Sequence, residues 1–226
     1  MNSINILLLL TFAAIGAMAQ APPPPVFSPA GIFDSSVVLI SEELTTTFHL
    51  LAKLDLTQQK EYVKITLPAF PTTTYFEMFV DFAAGDLTIV QSDQGNPTCF
   101  NITGVPMPTI TTTFVGDHCT YAGPALINNE PCQQWACPFS FASVSLPGAI
   151  FSRGNRLIAE TISVPASETG PAFSEFINID DFIPLPSLPR SVFQVPSFCS
   201  SGAATRRSEM PNRMPTIAEL IGALQA

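Results

Sequence analysis

The chain has 226 residues and a formal charge of −9, with nine Lys and Arg against eighteen Asp and Glu. It lacks the basic stripe that displaces counterions from a polyanion, so nucleic acid is not expected as a partner. Residues are 46% hydrophobic and only 12% charged; this excludes disorder for most of the chain and points to apolar surface beyond an ordinary core.

Residues 1–19 read as an export signal. Ile4, the run Ile6 to Leu10, Phe12 and Ile15 form an apolar stretch of h-region length, although no Lys or Arg precedes it. Gly16-Ala17-Met18-Ala19 supplies the small-x-small pattern of a cleavage site before Gln20. A retained anchor would need about 20 apolar residues, and Ala21-Pro22-Pro23-Pro24-Pro25 ends any helix too soon. The expected location is therefore extracellular. Residues 20–44 form a proline-rich lead-in, 45–199 the β-rich domain and 200–226 a tail.

From Thr45 to Phe193 the apolar period is two, with candidate strands bounded by Pro, Gly, Asn and Asp. Phe48, Leu50, Ala52, Leu54 and Leu56 alternate with His49, Leu51, Lys53 and Asp55, which gives one strongly apolar face. Val63, Ile65 and Leu67 repeat the device, as do Phe76, Met78, Val80 and Phe82. Ala84-Gly85-Asp86 turns this third strand into a hairpin with Leu87 to Val90. Further candidate strands are Thr98 to Thr103, Thr109 to Val115, Gln134 to Val144, Ala149 to Ser152, Arg156 to Val164, Ala172 to Ile179 and Val192 to Val195, with Arg153-Gly154-Asn155 as a hairpin tip. So many antiparallel strands must hide their edges, and a sandwich, a barrel and a curved half-barrel all do so.

Beyond Cys199 a small, polar, proline-containing stretch leads to Thr216-x-x-Glu219, a capping box, with Ile217, Leu220, Ile221 and Leu224 on one side of a short amphipathic helix. Such a helix docks on the β domain, caps an apolar opening or stays frayed. Arg206-Arg207 and Ser200-Ser201-Gly202 also fit a processing site and a lipid-anchor signal, though Glu219 and the brevity of the apolar end oppose the anchor.

Cys99, Cys119, Cys132, Cys137 and Cys199 are the only cysteines, so an oxidising compartment allows two disulfides and one remaining thiol. Sequence does not assign the pairs. The odd thiol is expected to be buried as a small hydrophobe, the other outcome being an intermolecular bridge and hence a homodimer. Cys132 and Cys137 are too far apart for a redox C-x-x-C, and with only two histidines a zinc site is not expected. Asn101-Ile102-Thr103 is a glycosylation sequon, whereas Asn96-Pro97-Thr98 is blocked by its proline.

Catalytic constellations are scarce. His49 lies inside an alternating strand and His118 adjoins Cys119, and no G-x-S-x-G, H-E-x-x-H or phosphate-cradling loop occurs. The chain is expected not to be an enzyme and to need no cofactor. Glu175, Asp180 and Asp181 form the densest carboxylate group and are the candidate ligands for calcium, although no Asp-x-Asp-x-Asp-Gly loop is present. The apolar faces point to binding instead, because each buried CH₂ contributes about 0.8 kcal/mol and a carrier then needs no polar anchor. Eighteen Phe against three Tyr suit such a lining, and Phe76, Met78, Val80, Phe82, Leu87 and Ile89 are its candidate residues. The competing outcome is that these residues form closed core.

The Tyr75 to Val90 hairpin leading to Thr98-Cys99, the Trp135 region, and Val192-Phe193-Gln194-Val195-Pro196-Ser197-Phe198-Cys199 together resemble the ependymin-related secreted proteins. That family shows a signal peptide, a strand pair before an internal cysteine, a mid-chain tryptophan and a closing F-x-x-P-x-x-C, and the match runs from about Thr45 to Cys199. The resemblance implies a fold like the bacterial lipoprotein carriers: mainly β, with two stacked antiparallel sheets forming a curved half-barrel around a hydrophobic pocket. A short C-terminal helix completes the expected architecture. The resemblance also implies an extracellular or lysosomal location and a lipid or other hydrophobic ligand. Calcium-dependent adhesion to matrix or cell-surface glycans is the alternative it suggests. The odd cysteine count departs from the family, and only Cys99 and Cys199 fall on its positions.

Overall fold

The computed structural model describes residues 21–41, 45–67, 74–93, 96–104, 107, 109–141, 144–165 and 172–200. The export signal and the Thr216-x-x-Glu219 helix fall outside the described residues. Eleven strands form one antiparallel sheet: β1 (Ala30–Ser41), β2 (Thr45–Asp55), β3 (Lys60–Leu67), β4 (Thr74–Asp81), β5 (Asp86–Asp93), β6 (Asn96–Ile102), β7 (Thr120–Ile127), β8 (Glu130–Phe141), β9 (Val144–Arg153), β10 (Arg156–Val164) and β11 (Phe173–Leu185). Their spatial order is β6-β5-β4-β3-β2-β1-β11-β10-β9-β8-β7, so the first and last strands meet in the middle and each half is a meander.

The expected curved half-barrel is present, and one continuous sheet makes it. Register fixes which side chains share the inner face, because directly paired residues point the same way. Val37 pairs with Phe48 and Ile177, Leu50 with Ile65, Val63 with Met78, and Met78 with Ile89. These residues belong to the largest apolar cluster, to which Phe173 and Ile177 of the other half contribute. The opposite half adds Trp135, Cys137 and Ile150 from β8 and β9.

The segment from β6 to β7 joins the two sheet edges across the inner side. Met107 packs on the larger cluster and Val115 on the Trp135 cluster. Phe27 donates its N–H to Thr112 O at 2.9 Å, and Gln59 Nε2 donates to Ile110 O at 2.9 Å, which ties the segment to the strand ends. The sequence pattern places a strand at Thr109–Val115; the chain is instead non-regular there and enters a short helix, α1 (Phe114–His118). A crossing segment has no strand neighbour to complete a ladder.

The outer face is covered in its first half by the chain after β11. Leu188 and Phe193 pack with Ala30, Ile32, Tyr62 and Leu185, and Cys199 at helix α2 (Ser197–Ser200) is bonded to Cys99 of the edge strand β6. The expected strand at Val192–Val195 is a 3-10 turn, Arg190–Phe193, followed by extended chain. The expected Gln134–Val144 strand is β8, which begins earlier, at Glu130, and ends at Phe141, while Val144 already opens the antiparallel strand β9.

Turns follow residue type. Gly85 and Gly154 take the positive φ that their hairpins require, and Asn128 and Asn129 do the same between β7 and β8. That last hairpin coils over the outer face of the second half, where Asn128 Nδ2 donates to Asn178 Oδ1 at 2.9 Å. Cys132, Ala149, Phe151, Ile158 and Ala159 are buried together beneath it.

Candidate functional site

Strand alternation decides what faces the interior, and three acidic residues obey it. Glu61 pairs with Leu54 and Val80, Glu160 with Ile150 and Ile177, and Glu175 with Leu39 and Ile162, so all three project from the inner face among apolar neighbours. Glu175 is 4% exposed. Its Oε1 is buried without a hydrogen-bond partner among the described residues. Glu61 and Glu160 keep some accessible surface, yet burial dominates how all three titrate. It raises Glu61 and Glu175 to about 7. Glu160 rises to about 8, through burial first and then through repulsion from Glu175 and Glu61. Glu61 on β3 and Glu160 on β10 are four strands apart in the sheet and project from the same inner face.

Among the described residues no cation balances them on this face. Lys53 pairs with Tyr62, Lys60 with Asp81 and Lys64 with Glu77, all on the outer parity, and Arg153 and Arg156 flank the exposed β9–β10 tip.

Two open clefts lie at the strand ends. The larger, about 520 Å³, is lined by Ile40, Ser41, Pro147, Val164, Pro165 and Phe173, together with Ser163, Ala172 and Ser174. Ser41, Val164 and Phe173 have inner-face parity, and Ile40, Ser163 and Ser174 the outer, so the cleft wraps the rim. Two residue pairs deeper in the same register, again on the inner face, stand Ile162 and Glu175. The smaller cleft, about 370 Å³, lies between Val26, Asn155, Arg156 and Phe182.

The structure brings the six candidate lining residues together. Phe76, Met78, Val80, Leu87 and Ile89 are 1–5% exposed in one inner-face cluster, and Phe82 packs against it from the turn. They pack against one another and do not line either of the two clefts. The three calcium candidates are separated: Glu175 is inside, whereas Asp180 and Asp181 are exposed at the bulge opposite Asp34 and Ser35. Asp180 accepts from Asn178 Nδ2 at 2.6 Å, and Asp181 accepts from the Phe182 N–H at 2.8 Å. Among the described residues no group of three metal-ligating side chains occurs.

The cysteines resolve as Cys99–Cys199 and Cys119–Cys137, with Cys132 a buried free thiol. Cys132 and Cys137 are five positions apart on β8 and so lie on opposite faces. His49 is exposed on the outer face, 2.5 Å from Asp34 Oδ1, and His118 is exposed on α1 with its ring 4.9 Å from that of Phe114. Asn101 is exposed on the edge strand β6. Among the described residues no helix is long and apolar enough to cross a membrane.

Glu61 and Glu160 escape a motif-based search because they belong to no motif. Parity finds them: Glu61 precedes Val63 and Ile65 at strand spacing, and Glu160 precedes Ile162 and Val164.

No family model matches the chain, and no curated protein matches it. The ependymin-related resemblance therefore rests on its motifs alone. Among solved structures, the chain is similar to an uncharacterized conserved protein of Thermus thermophilus (TM-score 0.44, 8% identity, covering 78% of this chain and 89% of that one). It is also similar to a LolA superfamily protein of Nitrosomonas europaea (0.38, 14%, 76% and 91%). An outer-membrane lipoprotein-sorting protein domain of Vibrio parahaemolyticus gives 0.37, 10%, 73% and 88%. These likenesses are distant, and the functional reading rests on this chain's own residues.

Proposed function

We propose that the chain is an exported, non-enzymatic binding protein that takes a lipid or other apolar small molecule at the rim of its curved sheet. The observation that carries this reading is the 520 Å³ cleft, of ligand-site volume and bounded by Ile40, Pro147, Val164, Pro165 and Phe173, where the inner apolar face opens to solvent. Buried core alone would not favour a carrier, since Phe76, Met78 and their neighbours pack closed. An open apolar cleft continuous in register with that face does. Two disulfides and an exposed sequon at Asn101 accord with an oxidising, extracellular site of action.

Organic extraction of the natively purified protein, followed by mass spectrometry, tests the reading, with displacement of a fluorescent apolar probe as its counterpart in solution. A co-purifying apolar molecule, or saturable probe uptake weakened by Phe173→Asp, is expected. An empty extract together with no probe uptake overturns the proposal.

A further inference from the structure

The three inner glutamates carry no part of a generic apolar carrier. Buried carboxylates are ordinarily paired, because an unpaired charge in an apolar interior costs several kcal/mol (of order) even after relaxation. Here three project from one inner face, on β3, β10 and β11, and every residue paired with them in register is apolar. Lys53, Lys60 and Lys64 all stand on the other side of the sheet. Glu175 is buried with its Oε1 unpartnered among the described residues. It lies two residues beyond Phe173, about 7 Å along the strand, and Phe173 lines the open cleft.

Among the described residues no cation stands beside these carboxylates, and a ligand entering from the cleft would supply one. Resting on the carrier reading above, we propose that the ligand is an apolar amine whose hydrocarbon body occupies the cleft between Ile40, Pro147, Val164 and Phe173 and whose ammonium group reaches Glu175, with Glu160 and Glu61 supplying further negative charge. Once the glutamates are ionised, a carboxylate ligand meets like charges in that position, and an alcohol offers a hydrogen bond without neutralising them. The net charge of −9 acts in the same direction over longer range, drawing cations toward the rim.

The experiment compares decylamine, decanol and decanoate, equal in chain length and below their aggregation limits, by calorimetry on the natively folded full chain at a pH where the glutamates are ionised. Decylamine is expected to bind roughly tenfold or more tightly than decanol, with decanoate weakest. Glu175→Gln should reduce the amine preference to about twofold while leaving decanol affinity in place. Glu160→Gln, which keeps the shape of a second site and relieves repulsion, should reduce it partially and serves if Glu175→Gln does not fold. Equal binding of the three probes, or tighter binding of decanoate, overturns the amine assignment but leaves the carrier. No binding of any of the three overturns both.

Discussion

Leu188 donates its backbone N–H to Asp55 Oδ2 at 2.8 Å, closing the chain after the last strand onto the end of β2. The same carboxylate accepts from Thr57 N and Oγ1 and from Gln58 N and Nε2, while Gln58 Nε2 also reaches Leu188 O at 2.7 Å. One fully buried aspartate therefore fixes both the β2–β3 turn and the start of the strap that covers the outer face.

Replacing Asp55 by Ala removes every acceptor at once and leaves the Leu188 N–H without its partner. Each unsatisfied buried group costs about 1–3 kcal/mol, so Asp55→Ala is expected to cost about 3 kcal/mol or more. A urea midpoint that moves by less than the equivalent of about 1 kcal/mol would show that the turn is held by other contacts. Asp55 also sets an acid limit. Burial alone would raise it, but hydrogen bonds from Thr57, Leu188 and Gln58 outweigh burial and hold it at about 2. Its contribution is complete above the ordinary aspartate range near 3.8 and is lost as pH falls toward 2.

The inner glutamates act in the opposite sense. In the folded chain Glu61 and Glu175 hold their protons to about 7 and Glu160 to about 8, against 4.5 when unperturbed. Between these limits the folded state binds more protons than the unfolded one, so stability falls as pH rises from about 4.5 to about 8. Each group contributes on the order of 1.4 kcal/mol per pKa unit. Unliganded protein is thus expected to be more stable near pH 5 than near pH 8 in this respect, and Glu160→Gln should raise the denaturation midpoint at the alkaline end and flatten the slope. A midpoint in the Gln variant that falls as steeply as in the parent would place Glu160 in water.

Strand parity made much of this arrangement legible. The hairpin β4–β5 and the inner face of β2 and β3 follow directly from Phe48, Leu50, Val63, Ile65, Phe76 and Met78. The central strand β1 does not, because Ile32, Val38 and Ile40 face one way and Phe33, Val37 and Leu39 the other, with Asp34-Ser35-Ser36 between them. A strand apolar on both faces has no period-two signature. Strand β7 was hidden by Gly123 and Pro124, although Asn128-Asn129 is a hairpin-turn signal. The acidic interior was half legible: Glu175 stood out only as part of a carboxylate group with Asp180 and Asp181, of which Asp180 alternates outward and Asp181 is turned outward by the bulge in β11.

The Cys99–Cys199 bond closes a separation of 100 residues and pins the strap to the edge strand. In the chain-entropy picture a loop of this size is worth about 4.7 kcal/mol, and here the bond also keeps Leu188 and Phe193 on the outer face. Cys199→Ser is expected to lower stability by about 2–5 kcal/mol and to make the region after β11 the first to be cleaved by protease. Cys132 should behave differently. Burial pushes its thiol up, partly offset by the Ile127 backbone and by Arg153, so iodoacetamide should leave it untouched in the native protein and label it in urea. Labelling at equal rates in both states would show that the β7–β8 hairpin does not cover it.

Gly148 occupies the most confined glycine position on the inner face of β9. A Cβ there would collide with the Thr161 carbonyl oxygen of β10 and with the Phe139 ring of β8. The ring can shift, but the carbonyl belongs to the strand ladder and cannot do so without breaking the β9–β10 register. Gly148→Ala is therefore expected to cost about 1–3 kcal/mol, the usual scale of overpacking. The loss should appear as a red shift of the single tryptophan, because Trp135 is 4% exposed on β8 beside Ile150 and donates Nε1–H to Ser152 Oγ at 3.0 Å. Unchanged emission with unchanged thermal stability would mean that β9 and β10 stand farther apart at this rung than their pairing requires.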